Sequence, residues 1–86
     1  MNSEKLEIYR KKVIRADEIN SERAKNQMLL AEIENRMNAI FDKKANSSIT
    51  LLGAKLEGDV ALGVLEKAQL VLLRRNKELT EEYEAL

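Results

Sequence analysis

The chain has 86 residues, of which 35% are charged and 3% are aromatic, and its 15 basic and 15 acidic side chains give a net charge of zero. It contains no cysteine and no histidine, which excludes disulfides and thiolate metal sites and removes the commonest metal ligand and general base. We therefore expect no catalysis, no cofactor and no metal. No run of about 18 apolar residues and no signal-peptide pattern is present, so we expect a cytoplasmic protein without a membrane segment.

The first predicted element is one long helix over residues 3–45. Ser3 provides a side-chain oxygen for the N-cap, and Glu4 places an acid in the first turn, where it interacts favourably with the helix dipole. No glycine or proline occurs before residue 53. From Leu6 to Ile40 the apolar residues recur mostly at alternating steps of three and four, which is typical of a helix that packs against another helix.

A polar segment follows this helix and predicts a turn over residues 46–49. Asn46, Ser47 and Ser48 are residues that favour turns and helix caps. A connection this short joins antiparallel neighbours. The predicted fold class is therefore all-α: one domain over residues 1–86, folded as an antiparallel, coiled-coil-like helical hairpin that dimerises into a four-helix bundle.

The second predicted helix covers residues 50–86 and carries the clearest heptad pattern of the chain. The pattern comprises Leu62, Leu65, Gln69, Leu72, Asn76, Leu79, Tyr83 and Leu86. A helix with such a seam must bury it against a partner. We expect the apolar and aromatic members to hold the hairpin together, namely Leu62, Leu65, Leu72, Leu79 and Tyr83.

Three glycines at a spacing of five leave two alternatives for the beginning of this second helix. Each of Gly53, Gly58 and Gly63 costs about 1 kcal/mol inside a helix. We favour a continuous helix, because Leu56, Val60 and Val64 keep helical spacing across the glycines. In the alternative, a short helix ends near residue 58 and a new helix begins there with Asp59 as its cap.

The hairpin model also predicts which residues face each other. Their numbers should sum to about 95 if the chain turns at residue 47 or 48. This places Asn26 opposite Gln69 and Ile19 opposite Asn76. Buried amides would fix the register of the two helices. We favour the other interpretation, in which Asn26 and Gln69 lie at a solvated edge, because polar side chains usually stay hydrated.

Apolar residues outside the seam form a second stripe, which we interpret as a partner-binding surface. Its members are Met28, Leu29, Phe41, Leu56, Val60, Val64, Leu70 and Val71. An exposed patch of this kind favours association. A homodimer would cover it, and so would a helix of a client protein. The sequence therefore predicts a non-catalytic protein–protein interaction module, such as an adaptor, a small chaperone or an assembly factor.

Two basic clusters favour a competing prediction, a small dimeric regulator that binds DNA or RNA. The clusters are Lys43 with Lys44, and residues 74–77 with Arg74, Arg75 and Lys77. Residues 54–64 also imitate the spacing of a helix-turn-helix. However, Asp59 stands where that motif requires an apolar residue, and no basic recognition face follows it. We therefore expect a protein partner rather than a nucleic acid.

Overall fold

The computed structural model describes residues 3–42 and 48–86. Its elements are, in chain order, α1 (Ser3–Phe41), β1 (Ser48–Leu51), β2 (Ala54–Glu57) and α2 (Gly58–Ala85). The prediction of a fold built on two helices is confirmed, although a small sheet lies between them. The first part of the predicted turn, residues 46–47, and the basic pair Lys43 and Lys44 lie outside the described residues.

The prediction of a continuous helix over residues 50–86 is wrong, because residues 48–57 form a β-hairpin. Its register runs from Ser48 opposite Glu57 to Leu51 opposite Ala54. The two turn residues have positive φ values, 50° at Leu52 and 82° at Gly53, which match a two-residue type I′ turn. Gly58 also has a positive φ of 56°. The alternative boundary near residue 58 is therefore the correct start of the second helix, but the segment before it is a pair of strands.

The helices run antiparallel, in a different register from the predicted one. Arg15 contacts Glu82, and Arg75 contacts Glu22. The Asn26 side chain bonds to Asn76, so its predicted position opposite Gln69 is wrong. The physical reason is the β-hairpin, which shifts the midpoint of the connection between the helices toward the C-terminus. Asn26 is also buried, so the favoured interpretation that it lies at a solvated edge is wrong, because the Asn76 amide replaces water as its hydrogen-bond partner.

The buried residues form two groups separated by the asparagine pair. Next to the β-hairpin, Ile40, Ala61 and Leu65 form a cluster. Partly buried side chains surround this cluster, namely Ile33, Met37, Ile49, Leu56 and Leu62. Nearer the chain termini, Ile19 and Leu79 are completely buried. Of the residues predicted to hold the hairpin, Leu65 and Leu79 are buried, Leu62 and Leu72 are half-buried, and Tyr83 is exposed.

The molecule is a rod with principal extents of 63 × 23 × 15 Å and a radius of gyration of 18.6 Å. A compact domain of 86 residues would have a radius of gyration of about 12 Å. Two helices side by side cannot enclose a core on all sides. Much of each helix surface therefore remains open to solvent.

Candidate protein-binding surface

A solvent-exposed side of α2 carries a second row of apolar residues. Val60, Leu70 and Val71 are 60%, 63% and 59% exposed, and Val64 is half-buried. Val60, Val64 and Val71 recur at helical steps on a flank next to the buried Ala61, Leu65 and Leu79, and Leu70 lies farther round, on the side away from α1. We define the outer face of α2 as Val60, Gly63, Val64, Lys67, Leu70, Val71 and Arg74.

The structure therefore gathers four of the eight predicted partner-binding residues on one face, Val60, Val64, Leu70 and Val71. The other four are dispersed. Leu56 pairs with Ile49 in the β-ladder and packs against the buried cluster. Met28, Leu29 and Phe41 are exposed on α1, separate from the outer face of α2. Met28 is two helical positions from the buried Asn26, so it lies on the side of α1 away from α2.

Gly63 and Lys67 also belong to the outer face of α2, although neither is among the predicted partner-binding residues. Both are exposed members of the outer face. The Cβ of an alanine at position 63 would have no atom of the described residues within 4 Å. The signal was present in the sequence, because both positions continue the steps of three and four residues set by Val60, Val64 and Val71.

Ion pairs along one flank connect the two helices. Arg15 donates from Nε and Nη2 to the two carboxylate oxygens of Glu82, the Nη2 contact being 3.0 Å long. Arg75 donates from Nε and Nη2 to Glu22 at 2.7 and 3.1 Å. Hydrogen bonds from these guanidinium groups lower the pKa of Glu82 and of Glu22 below the ordinary carboxyl value.

The same ion pairs change the interpretation of the basic cluster at residues 74–77. The guanidinium of Arg75 bonds to Glu22 and also lies 3.8 Å from Glu78, and the bond to Glu22 raises the pKa of Arg75. This charge is therefore neutralised by the protein itself. Arg74 and Lys77 remain exposed, which is a small footprint for a phosphate backbone.

An open groove of about 410 Å³ lies between α1 and the β-hairpin. Its walls include Leu29 and Arg36 of α1 and Ile49 of β1, and Leu65 contributes from α2. The groove continues the apolar cluster to the surface at this end of the rod. Its walls combine apolar side chains with the charged Glu32 and Arg36.

Over residues 3–42 and 48–86 no group of three or more acidic side chains is arranged as a metal site. Neither of the two described helices contains a stretch that is long and apolar enough to cross a membrane. No protein family, no curated protein and no solved structure matches this chain. The function must therefore be inferred from the surface itself.

Proposed function

We propose that the protein is a non-catalytic interaction module that binds a helix through the outer face of α2. The helix belongs to a second copy of the chain or to a client protein. The observation that carries this proposal is the exposed apolar row of Val60, Leu70 and Val71 beside half-buried Val64. A helix that is apolar on two sides requires two neighbours, and α1 supplies one of them.

The surface area supports the same proposal. The chain exposes 6843 Å², whereas a compact monomer of 9.8 kDa would expose about 5,200 Å². The excess is larger than the roughly 800 Å² that one partner buries in an interface of standard size. An elongated pair of helices gains stability when this surplus surface is removed from water.

The spacing of the row determines the kind of partner that it fits. Along the outer face of α2, steps of three and four residues connect Val60, Val64, Lys67, Val71 and Arg74. An amphipathic helix that docks along such a row supplies its own side chains at the same intervals. The row spans about 20 Å from Val60 to Arg74 at the helical rise per residue. A partner helix of four turns would cover it.

The experiment compares wild type with the double variant Val64→Asp and Val71→Asp. We expect the wild-type chain to associate through this face. Molecules that remain unassociated should bind an apolar fluorescent dye there. The two carboxylates should abolish both properties and leave a helical monomer, because an unpaired charge is not tolerated in a dry interface. The measurements are light-scattering mass on a sizing column, far-ultraviolet circular dichroism and dye fluorescence.

A matched control replaces two exposed apolar residues off the outer face, Met28→Asp with Leu73→Asp. It makes the same change in charge and hydrophobicity and should behave as wild type. If the Val64 and Val71 variant associates and binds dye as strongly as wild type, the outer face of α2 is not the binding surface.

A further inference from the structure

We propose that the outer face of α2 binds the same face of a second copy, with the two α2 helices antiparallel about a two-fold axis between residues 65 and 66. This inference rests on the proposed function above and names its partner. Facing residues then have numbers that sum to 131. The contact is isologous, so every interaction occurs twice.

The apolar residues fit this register. Val64 and Val71 share one heptad position, and Val60, Lys67 and Arg74 share the other. In antiparallel pairs these two positions alternate along the contact. Val60 therefore lies opposite Val71 of the second copy, and Val64 lies beside the aliphatic stem of its Lys67. The Lys67 ammonium reaches solvent at the edge of the contact.

Charge determines the direction of the second helix. The beginning of α2 is acidic, with Glu57 at the N-cap and Asp59 in the first turn. Glu57 pairs with Lys55 at 3.3 Å, but both side chains are largely exposed, so the carboxylate is still accessible to a second copy. Arg74 lies seventeen positions after Glu57. The antiparallel register places each Arg74 beside the Glu57 of the other copy. A parallel pair would instead place Lys67 against Lys67 and Arg74 against Arg74. Like charges at such positions disfavour the parallel arrangement.

The shape of the face also matches its own copy. Gly63 lies on the outer face with open space where a side chain would be. The same two-fold axis places the exposed Leu70 of the second copy within two residues of the position that faces Gly63. A large apolar side chain therefore meets a position without a side chain, twice in the dimer. Close approach of this kind favours dispersion contacts between the helices.

The test uses charge reversal in two separately purified full-length variants, Arg74→Glu and Glu57→Arg. Alone, each variant replaces both intermolecular ion pairs with like-charge contacts, so its dimer dissociation constant should rise roughly tenfold. An equimolar mixture should recover wild-type affinity, because a dimer of one copy of each variant has an opposite-charge pair at both ends. Native mass spectrometry identifies this mixed dimer, and sedimentation equilibrium gives the constants.

A control variant, Lys25→Glu, makes the same change in charge as Arg74→Glu at an exposed position on α1 and should dimerise as wild type. If the mixture dimerises no better than the separate variants, the antiparallel pairing is wrong. If wild type remains a monomer at every concentration, self-pairing is wrong. In both cases the proposed function is tested separately, by whether the Val64→Asp and Val71→Asp double variant binds less dye than wild type.

Discussion

At the scale of single residues, the middle of the helix pair depends on two asparagines. Asn26 and Asn76 are only 6% and 8% exposed. The Asn26 Nδ2 donates to the Asn76 Oδ1 at 2.9 Å. The Nδ2 of Asn76 is buried and has no hydrogen-bond partner in the part of the chain that the structure describes. A buried asparagine pair of this kind lowers the stability of the helix pair but favours one register of the two helices over neighbouring registers.

We expect Asn26→Leu alone to lower the free energy of unfolding by about 1–3 kcal/mol, because it leaves the buried Asn76 amide unsatisfied. The double variant Asn26→Leu and Asn76→Leu should recover most of that loss, since no buried amide remains. Urea unfolding followed by circular dichroism measures both values, with the exposed neighbour change Gln27→Leu as a control. A double variant no more stable than Asn26→Leu alone would show that the amides do not act as a pair.

A second residue-scale prediction concerns Leu52 at the tip of the β-hairpin. Its φ is 50° and its side chain is fully exposed, so it bears the cost of a left-handed backbone without burying apolar surface. Leu52→Asn should raise the free energy of unfolding by about 0.5–1 kcal/mol, because asparagine is favoured at the first position of a type I′ turn. The control Leu51→Asn lies in β1 and should not stabilise. Equal effects of the two changes in urea unfolding would contradict this explanation.

At the scale of elements, the helices could be predicted from the sequence and the β-hairpin could not. Apolar residues recur mostly at alternating steps of three and four from Leu6 to Ile40 in α1, and its predicted start at residue 3 agrees with the structure. Between residues 49 and 64 the apolar spacing fits a helix as well as it fits two strands followed by a helix. The turn uses Leu52 before Gly53 instead of the usual Asn-Gly signal, so the local chemistry did not indicate it.

The candidate surface was predicted in part for the same reason. Val60, Val64, Leu70 and Val71 all lie within α2, where helical spacing correctly gives their common face. Leu56 follows the same spacing but lies in β2, and its partner Ile49 directs it toward the buried cluster. In α1, Met28 lies on the side away from α2, whereas Leu29 lines the groove beside the β-hairpin. Helical periodicity therefore identifies a common face within α2, but it does not show which residues of α1 lie near that face.

At the scale of the whole molecule, the two ends of the rod are held together by different interactions. The end with the β-hairpin has an apolar cluster around Ile40, Ala61 and Leu65. Toward the chain termini, Ile19 and Leu79 are buried, and beside them the ion pairs of Arg15 and Arg75 join α1 to α2. We expect acid to weaken the second end more than the first, because the ion pairs that join α1 to α2 through Glu22 and Glu82 lie there.

The sign of this effect follows from the lowered pKa values of Glu22 and Glu82. A carboxyl group whose pKa is lower in the folded state stabilises the protein above its unfolded pKa, which is about 4.3 for glutamate. That stabilisation is lost as the pH falls toward the folded pKa. The double variant Glu22→Gln and Glu82→Gln should thus be less stable than wild type at pH 7 and equally stable well below pH 4. Urea unfolding across this range measures the difference.

The control Glu7→Gln with Glu32→Gln removes carboxylates whose ion pairs lie within α1, so it leaves the link between the helices intact. A difference that stayed constant down to pH 3 would mean that the ion pairs do not hold this end of the rod together.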